Sequence, residues 1–410
     1  MVIDYWNDEL ESGSERLTVH GLIVQYFDRW SLGRKLRRDV IRAASAMMLC
    51  RTAELGAYTE GCECGHISRT KYHSCRHRSC PQCGGGRRAD WLERTAEQLL
   101  PCEHAHIIFT VPEELNILWQ FNRQEFANRL LAAAKETLEE LTADPKYLGA
   151  SPGIISVLHT WGRNLSIHPH VHCLVTVGGV DADGQFVKPR RSIFLPGGVL
   201  RSVFRGKLRA SLLAAHSAGV LKLPGTLTIA RFRTLLNRLG RVRWNVRIQE
   251  RYAHGASVAG YLARYLAGGP LPDRRLESAD STSVCFRYRD HRDGSERLMR
   301  LSTQEFLSRW FEHVPPRGLR MIRRAGLYAN SSHARREAVR QQLQEQNSPE
   351  TLVAANAVSQ IRSLDPEYCP RCNTEVRVIP PESLVICSPV TTDCLQPRKV
   401  VTAGCIFRPP

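Results

Sequence analysis

The chain has 410 residues, 42% hydrophobic and 24% charged, an ordinary globular composition that excludes a disordered or fibrous polymer. That length is more than one core organises, so two or three domains are expected. Lysine and arginine number 57 against 40 aspartate and glutamate, a formal charge of +17 that calls for a phosphate-bearing partner, nucleic acid ahead of a membrane surface.

The acidic start from Met1 to Glu15 has neither the charged nor the apolar region of a leader, and no apolar run of about eighteen residues follows. The expectation is a cytoplasmic protein with no membrane partner. Its 14 cysteines then read as metal ligands or core thiols rather than disulfides. Arg34-Lys35-Leu36-Arg37-Arg38 leads into a partly helical segment through Met48, which suits phosphate contact or a solvated face equally well.

Next come Cys62-Glu63-Cys64-Gly65-His66, Cys75, and Cys80-Pro81-Gln82-Cys83-Gly84-Gly85-Gly86. Close cysteine pairs across a short spacer are the sequence form of a tetrahedral zinc site, because glycine turns expose backbone N–H groups to thiolate sulfur. Cys62, Cys64, Cys75, Cys80 and Cys83 are the expected Zn²⁺ ligands. With His66, His73 and His77 nearby they exceed the four donors one ion takes. Arg69, Lys71, Arg76, Arg78, Arg87 and Arg88 surround them, so the module reads as a DNA-contacting knob, a structural clip, or both.

His104 to Val111 reads as a strand stopped by Pro112. Gln124 to Leu141 repeats apolar residues at helical spacing, and Ile154 to Trp161 is a second strand carrying His159. The stretch Ser166 to Val175 follows. On an extended backbone His168, His170 and His172 point to one side while Ile167, Val171 and Cys173 point to the other. Neutral imidazoles so spaced present ring nitrogens to one ion without bending the chain, and the competing reading is a strand of exposed or core-satisfied histidines. Asp181-Ala182-Asp183-Gly184 signals a hairpin. These elements predict an α+β fold with an antiparallel sheet core and helices on the sheet.

From Arg241 to Ile248 the residues alternate, with Arg241, Arg243 and Arg247 on one face of an expected strand and Val242, Trp244, Val246 and Ile248 on the other. A face of one charge sign is a candidate DNA surface. Ser257 to Ala267 then reads as a helix capped by Ser257 and ended by Gly268-Gly269-Pro270. Tyr261 and Tyr265 share one of its faces at i and i+4. Such a pair often only packs on a core. Beside a metal strand, a phenol can instead attack phosphorus while a cation polarises the phosphate, with no nucleotide cofactor.

Taken in order, Cys80-Pro81-Gln82-Cys83, His159-Thr160-Trp161-Gly162, His168-Pro169-His170-Val171-His172 and Tyr261-Leu262-Ala263-Arg264-Tyr265 resemble the rolling-circle insertion-sequence transposases of the two-tyrosine HUH class. The similarity runs from about Cys50 to Cys372. It implies a zinc-binding N-terminal domain before an HUH endonuclease domain, with His170 and His172 as ligands of a divalent ion and Tyr261 and Tyr265 as nucleophiles. The family's first cysteine pair has a two-residue spacer, whereas Cys62-Glu63-Cys64 has one residue.

The expected layout is residues 1–100 as a basic zinc-binding domain, 101–345 as the HUH nuclease domain and 346–410 as a cysteine-containing tail. Ser283 to Tyr288 and Glu296 to Leu301 should form a hairpin, and Ser302-Thr303-Gln304-Glu305 opens a helix as a capping box. Arg317 to Arg324 and His333 to Arg340 read as basic helical or loop surface. Cys369-Pro370-Arg371-Cys372, with Cys387 and Cys394, is half of a second zinc motif or a set of free thiols.

The expected function is a transposase that nicks single-stranded DNA at element ends, holds the 5′ phosphate on tyrosine and transfers the strand to target DNA. Mg²⁺ or Mn²⁺ would sit at His170 and His172, with His168 and His159 nearest as further ligands, and Zn²⁺ at the cysteines. An HUH replication initiator or relaxase, and a non-catalytic zinc-containing DNA-binding protein, are the alternatives.

Overall fold

Two segments far apart in sequence pair as strands, and this sets the domain boundaries. The computed structural model describes residues 17–190, 194–253, 255–263, 268–290, 293–346 and 367–379. Contacts divide the chain into one unit of residues 1–56 with 72–365 and another of residues 57–71 with 366–410. This differs from three consecutive blocks, because Thr59, Glu60 and Gly61 pair with Ile379, Val378 and Arg377. No helix among the described residues is long and apolar enough to cross a membrane.

The chain opens with α1 (Val19–Ser31), whose first turn is capped by the Thr18 hydroxyl accepting from Gly21 N at 3.0 Å. Then follow α2 (Arg38–Met48), β1 (Ala57–Gly61), β2 (Ser68–Tyr72) and α3 (Gly84–Gln98). The middle of the chain runs β3 (His104–Thr110), α4 (Asn116–Phe121), α5 (Arg123–Ala143), β4 (Gly153–Trp161), β5 (Ile167–Thr176), β6 (Gly179–Val180) and β7 (Phe186–Val187). It continues through α6 (Gly197–Ser217), α7 (Ile229–Leu239), β8 (Val246–Tyr252), α8 (Ala256–Ala263), β9 (Leu276–Ala279), β10 (Ser283–Arg289) and β11 (Glu296–Ser302). Last come α9 (Thr303–Glu312), β12 (Ile322–Gly326), α10 (His333–Gln346) and β13 (Arg377–Ile379).

In the larger unit a five-stranded sheet runs in the order β12-β4-β5-β3-β8, and every neighbouring pair is antiparallel. Alternation gives it two distinct faces. Ile154 and Leu158 of β4, Ile107 and Phe109 of β3, and Val171, Cys173 and Val175 of β5 are buried together with Phe126, Leu130 and Leu138 of α5, Phe204 and Leu208 of α6 and Phe232 of α7. Each such large side chain contributes about 1.5–3 kcal/mol through burial, so this face is the principal core. The opposite residues Ile155, Val157 and Leu174 pack with Ala259 and Leu262 of α8 and Val339 and Leu343 of α10. Both faces of the sheet therefore carry helices.

A second core joins α1, α2, β10 and α9, where Trp30 stacks on Phe311 at 5.0 Å. The Ser302 hydroxyl caps α9 from Glu305 N at 3.2 Å, as the capping box predicts. The hairpins at Asp181–Gly184 and Asp293–Gly294 form as expected. Part of the basic run 317–324 is instead the edge strand β12, Arg323 opposite Ser156 and Arg324 opposite Ile155. Arg324 reaches Thr95 Oγ1 at 2.9 Å and Gln98, so its charge is used inside the fold rather than on an open surface.

Candidate active site and metal centres

Antiparallel register sets the histidines. His170 of β5 lies opposite His159 of β4, and His172 lies opposite Val157. Residues directly opposite share a sheet face, so His159, His170 and His172 project on the side covered by α8 and α10. One ring nitrogen from each lies within 4.8 Å of the others. Ring centroids are 4.1 Å apart for His159 and His172, 4.9 Å for His170 and His172, and 5.2 Å for His159 and His170. His168 has its ring 5.0 Å from that of His170, but its nitrogens are not part of this group.

Hydrogen bonds orient two of these rings. His170 Nδ1–H donates to the His168 carbonyl at 2.6 Å, which leaves the Nε2 lone pair for an ion. His172 Nδ1 is 2.8 Å from His106 Nε2, so His106 is a supporting residue that the sequence reading missed. The available signal was the period-two pair His104 and His106 on a strand adjoining the histidine strand. Burial pushes His170 down to about 3 and His106 down to about 4, and holds His159 and His172 well below the usual imidazole range. All four are neutral near pH 7, the form that donates a lone pair. Three neutral nitrogen donors on one face fit a divalent ion with positions left for water and phosphate oxygens.

The helix α8 carries Tyr261, and its Ala259 and Leu262 are buried against Ile155, Val157 and Leu174, the near neighbours of the histidines. Tyr265 and the Tyr261 side chain lie outside the described residues. Just beyond, Gly268 and Gly269 have φ of +91° and +83°, a region that favours glycine. Gly268 N donates to the Arg78 carbonyl at 3.0 Å, and a Cβ on Gly84 would come within 2.5 Å of Gly268 Cα. The chain leaving the tyrosine segment is thus seated on the residue that follows Cys83.

Arg247 lies opposite Ile108, which lies opposite His172, so this exposed arginine is on the histidine face of the sheet. Arg241 and Arg243 are exposed as well, but they precede β8 rather than belonging to it. The strand starts late because Trp244 is buried and donates from Nε1 to the Leu239 carbonyl at 2.9 Å, which ties this stretch to the end of α7.

Eight of the described cysteines form two groups, while Cys387 and Cys394 lie outside the described residues. Cys75, Cys80 and Cys83 gather with Cys50, which the sequence reading had not included. Their sulfurs are 3.3 Å apart for Cys50 and Cys83, 3.6 Å for Cys75 and Cys83, and 3.7 Å for Cys50 and Cys80. Four thiolates at Zn–S of about 2.3 Å in a tetrahedron stand ~3.8 Å apart, so the set fits Zn²⁺. Cys75 N and His77 N donate to the Cys50 and Cys75 sulfurs at 3.4 Å each, the N–H···S support that a thiolate needs. Cys62 and Cys64 belong to the smaller unit and gather there with Cys369 and Cys372. Among the basic residues around the cysteines, Arg78 donates to the Leu319 and Pro316 carbonyls at 2.7 and 2.6 Å, and Arg69 pairs with Glu60 and Glu367. Both are fixed within the protein.

Comparison with known proteins points to one family. A family model described as "Transposase zinc-binding domain" matches residues 22–111, and one described as "Putative transposase" matches residues 153–336. The chain is 38% identical over 296 residues to "Putative transposase y4qJ" of Sinorhizobium fredii, covering 70% of this chain and 74% of that protein. It is 30% identical over 303 residues to "Transposase for insertion sequence element IS801" of Pseudomonas savastanoi pv. phaseolicola, covering 72% and 71%. No solved structure matches it. With its antiparallel sheet, its histidine strand and its cysteine module, the chain belongs to the two-tyrosine HUH family of insertion-sequence transposases, with a transposase zinc-binding domain near its N-terminal end.

Proposed function

We propose that this transposase nicks single-stranded DNA at the ends of an insertion sequence and transfers the strand to target DNA by a rolling-circle route in the cytoplasm. Tyr261 or Tyr265 supplies the phenol oxygen that attacks the scissile phosphorus. The new P–O bond forms on tyrosine as the bond to the 3′ oxygen breaks. The phenol gives up its proton, the 3′ oxygen takes one up, and a 5′-phosphotyrosine stands beside a free 3′-OH. No bond energy is lost, so the reverse attack by a 3′-OH re-ligates the strand without a nucleotide cofactor.

Mg²⁺ or Mn²⁺ held by His159, His170 and His172 would polarise the non-bridging phosphate oxygens. His106 keeps His172 oriented, and the His168 carbonyl keeps His170 oriented. Arg247, and with it Arg241 and Arg243, attracts the DNA backbone without reading bases. Zn²⁺ at Cys50, Cys75, Cys80 and Cys83 is structural. The observation that supports this reading most is that the histidine group and the helix carrying Tyr261 share one face of the sheet.

The test is incubation of labelled single-stranded DNA from an element end with Mg²⁺ or Mn²⁺, followed by denaturing electrophoresis. A protein–DNA adduct with a free 3′-OH fragment is expected, absent from the Tyr261→Phe, Tyr265→Phe double variant. His170→Ala or His172→Ala should abolish nicking and leave DNA binding intact. Cleavage by these histidine variants at the normal rate would refute the metal role, and an adduct in the double tyrosine variant would refute the nucleophiles.

A further inference from the structure

Among its described residues, the smaller unit buries no apolar side chain besides its cysteines. Its described residues are 57–71 and 367–379, out of a unit that takes in 57–71 and 366–410. Among them, Gly61, Cys62 and Cys369 alone are buried. The buried side chains among these described residues are therefore thiols. Cys62 and Cys64 sulfurs are 3.5 Å apart, Cys64 and Cys369 are 3.8 Å apart, and one sulfur from each of Cys62, Cys64, Cys369 and Cys372 lies within 4.8 Å of the others.

The backbone around these sulfurs is shaped for thiolates. Ile67 N donates to Cys62 Sγ at 3.2 Å and Arg371 N donates to Cys369 Sγ at 3.4 Å. After each cysteine pair the chain turns through a left-handed residue, Gly65 at φ +71° and Asn373 at φ +54°. A Cβ on Gly61 would meet the Ile67 carbonyl oxygen at 2.8 Å, so glycine is required where the strand enters the first turn. The two halves are further joined by the β1–β13 pairing and by Arg69, which bridges Glu60 and Glu367.

We propose that Cys62, Cys64, Cys369 and Cys372 form a second tetrahedral Zn²⁺ site, distinct from the one at Cys50, Cys75, Cys80 and Cys83. Four sulfur donors and no oxygen select a borderline-soft d¹⁰ ion over Mg²⁺ or Ca²⁺. Each ligand pair alone supplies half a site. The zinc-binding module is thus completed by a segment beyond residue 336, where the second family match ends. The one-residue spacer of Cys62-Glu63-Cys64 is accommodated because its partners come from elsewhere in the chain rather than from Cys75.

The experiment uses the full chain, purified under reducing conditions. Zinc is measured by elemental analysis and native mass spectrometry, and thiol protection by iodoacetamide labelling with peptide mapping. In the unmodified protein all eight cysteines of the two groups should be protected, and should become reactive on chelation. Cys369→Ser, Cys372→Ser should lower the zinc content by one equivalent per chain and expose Cys62 and Cys64, while Cys50, Cys75, Cys80 and Cys83 stay protected and report that the larger unit is folded. Unchanged zinc content in that variant would overturn the proposal. So would rapid labelling of Cys369 and Cys372 in the unmodified protein before chelation, a result that needs no variant to fold.

Discussion

Replacing Gly84 with alanine tests whether the cysteine module positions the tyrosine segment. Gly84 is the first residue of α3, directly after Cys83. An added Cβ would lie 2.5 Å from Gly268 Cα and 2.8 Å from Gly268 N, both backbone atoms, and 3.0 Å from Arg88 Nη1. The arginine tip can yield. The Gly268 backbone must retreat by about 0.9 Å to restore an ordinary 3.4 Å contact, and it is tethered by its hydrogen bond to the Arg78 carbonyl. Such overpacking costs about 1–3 kcal/mol. Against it stands the gain of alanine over glycine in a helix, at most about 0.5–1 kcal/mol and less in a first turn. A net loss of about 1–2 kcal/mol is expected. Gly86 in the same helix has nothing within 4 Å of its Cβ position, so Gly86→Ala isolates the helix term and should stabilise by about 0.5–1 kcal/mol. Gly268 follows Tyr265 by three residues, and a shift of nearly 1 Å at a reacting group can cost on the order of 100-fold in rate. Nicking by Gly84→Ala should fall by up to that factor while Gly86→Ala nicks normally. Denaturant midpoints and single-turnover nicking rates measure both. If the two variants match in midpoint and rate, the Gly84–Gly268 contact does not position the tyrosines.

The two phenols should act unequally, since at i and i+4 of the helix that the sequence predicts they would stand ~5.4 Å apart along the axis and could not both be in line with one phosphate. One single Tyr→Phe variant should lose the first adduct and the other should nick but fail to complete transfer; a single variant that transposes at the normal rate would show that its tyrosine only packs. Replacing Arg241, Arg243 and Arg247 with glutamine should flatten the slope of log K against log salt by about 2, from ~0.7 per phosphate contact on single strands, and an unchanged slope would remove that face from the DNA path. His313 is buried between Thr160 Oγ1 at 3.2 Å and the Leu165 carbonyl at 3.1 Å, and burial lowers it from 6.5 to about 4. The unfolded chain therefore binds the proton more readily. Stability is full above pH about 6.5 and falls by up to about 3 kcal/mol as pH drops toward about 4. In His313→Gln the urea midpoint should depend less on pH across that window, and an identical pH profile would sink the assignment. Mn²⁺ should support nicking at lower concentration than Mg²⁺, because an all-nitrogen donor set suits manganese better than an ion that prefers oxygen; equal half-maximal concentrations would argue against direct histidine ligation.

Local spacing carried much of this protein. Three alternating histidines specify one sheet face whatever the rest of the chain does, since side-chain direction in a strand has period two. The apolar rows of α5, the hairpin turns and the Ser302 cap are likewise decided within a few residues. What depended on which distant segments meet was at best left open: His159 and His168 could both be named as further ligands, but not told apart. Position 159 enters the histidine group because β4 lies beside β5, whereas His168, nearer in sequence, stays outside it. His106 supports His172 only because β3 flanks β5 on its other side. Burial of Trp244 against the end of α7, not the alternation of its neighbours, decides where β8 begins. The cysteines show the same limit most plainly. Pair spacing marks them as metal ligands, but ligation needs only that four sulfurs meet, and the folded path of the chain decides that Cys50 joins Cys75, Cys80 and Cys83 while Cys62 and Cys64 meet Cys369 and Cys372.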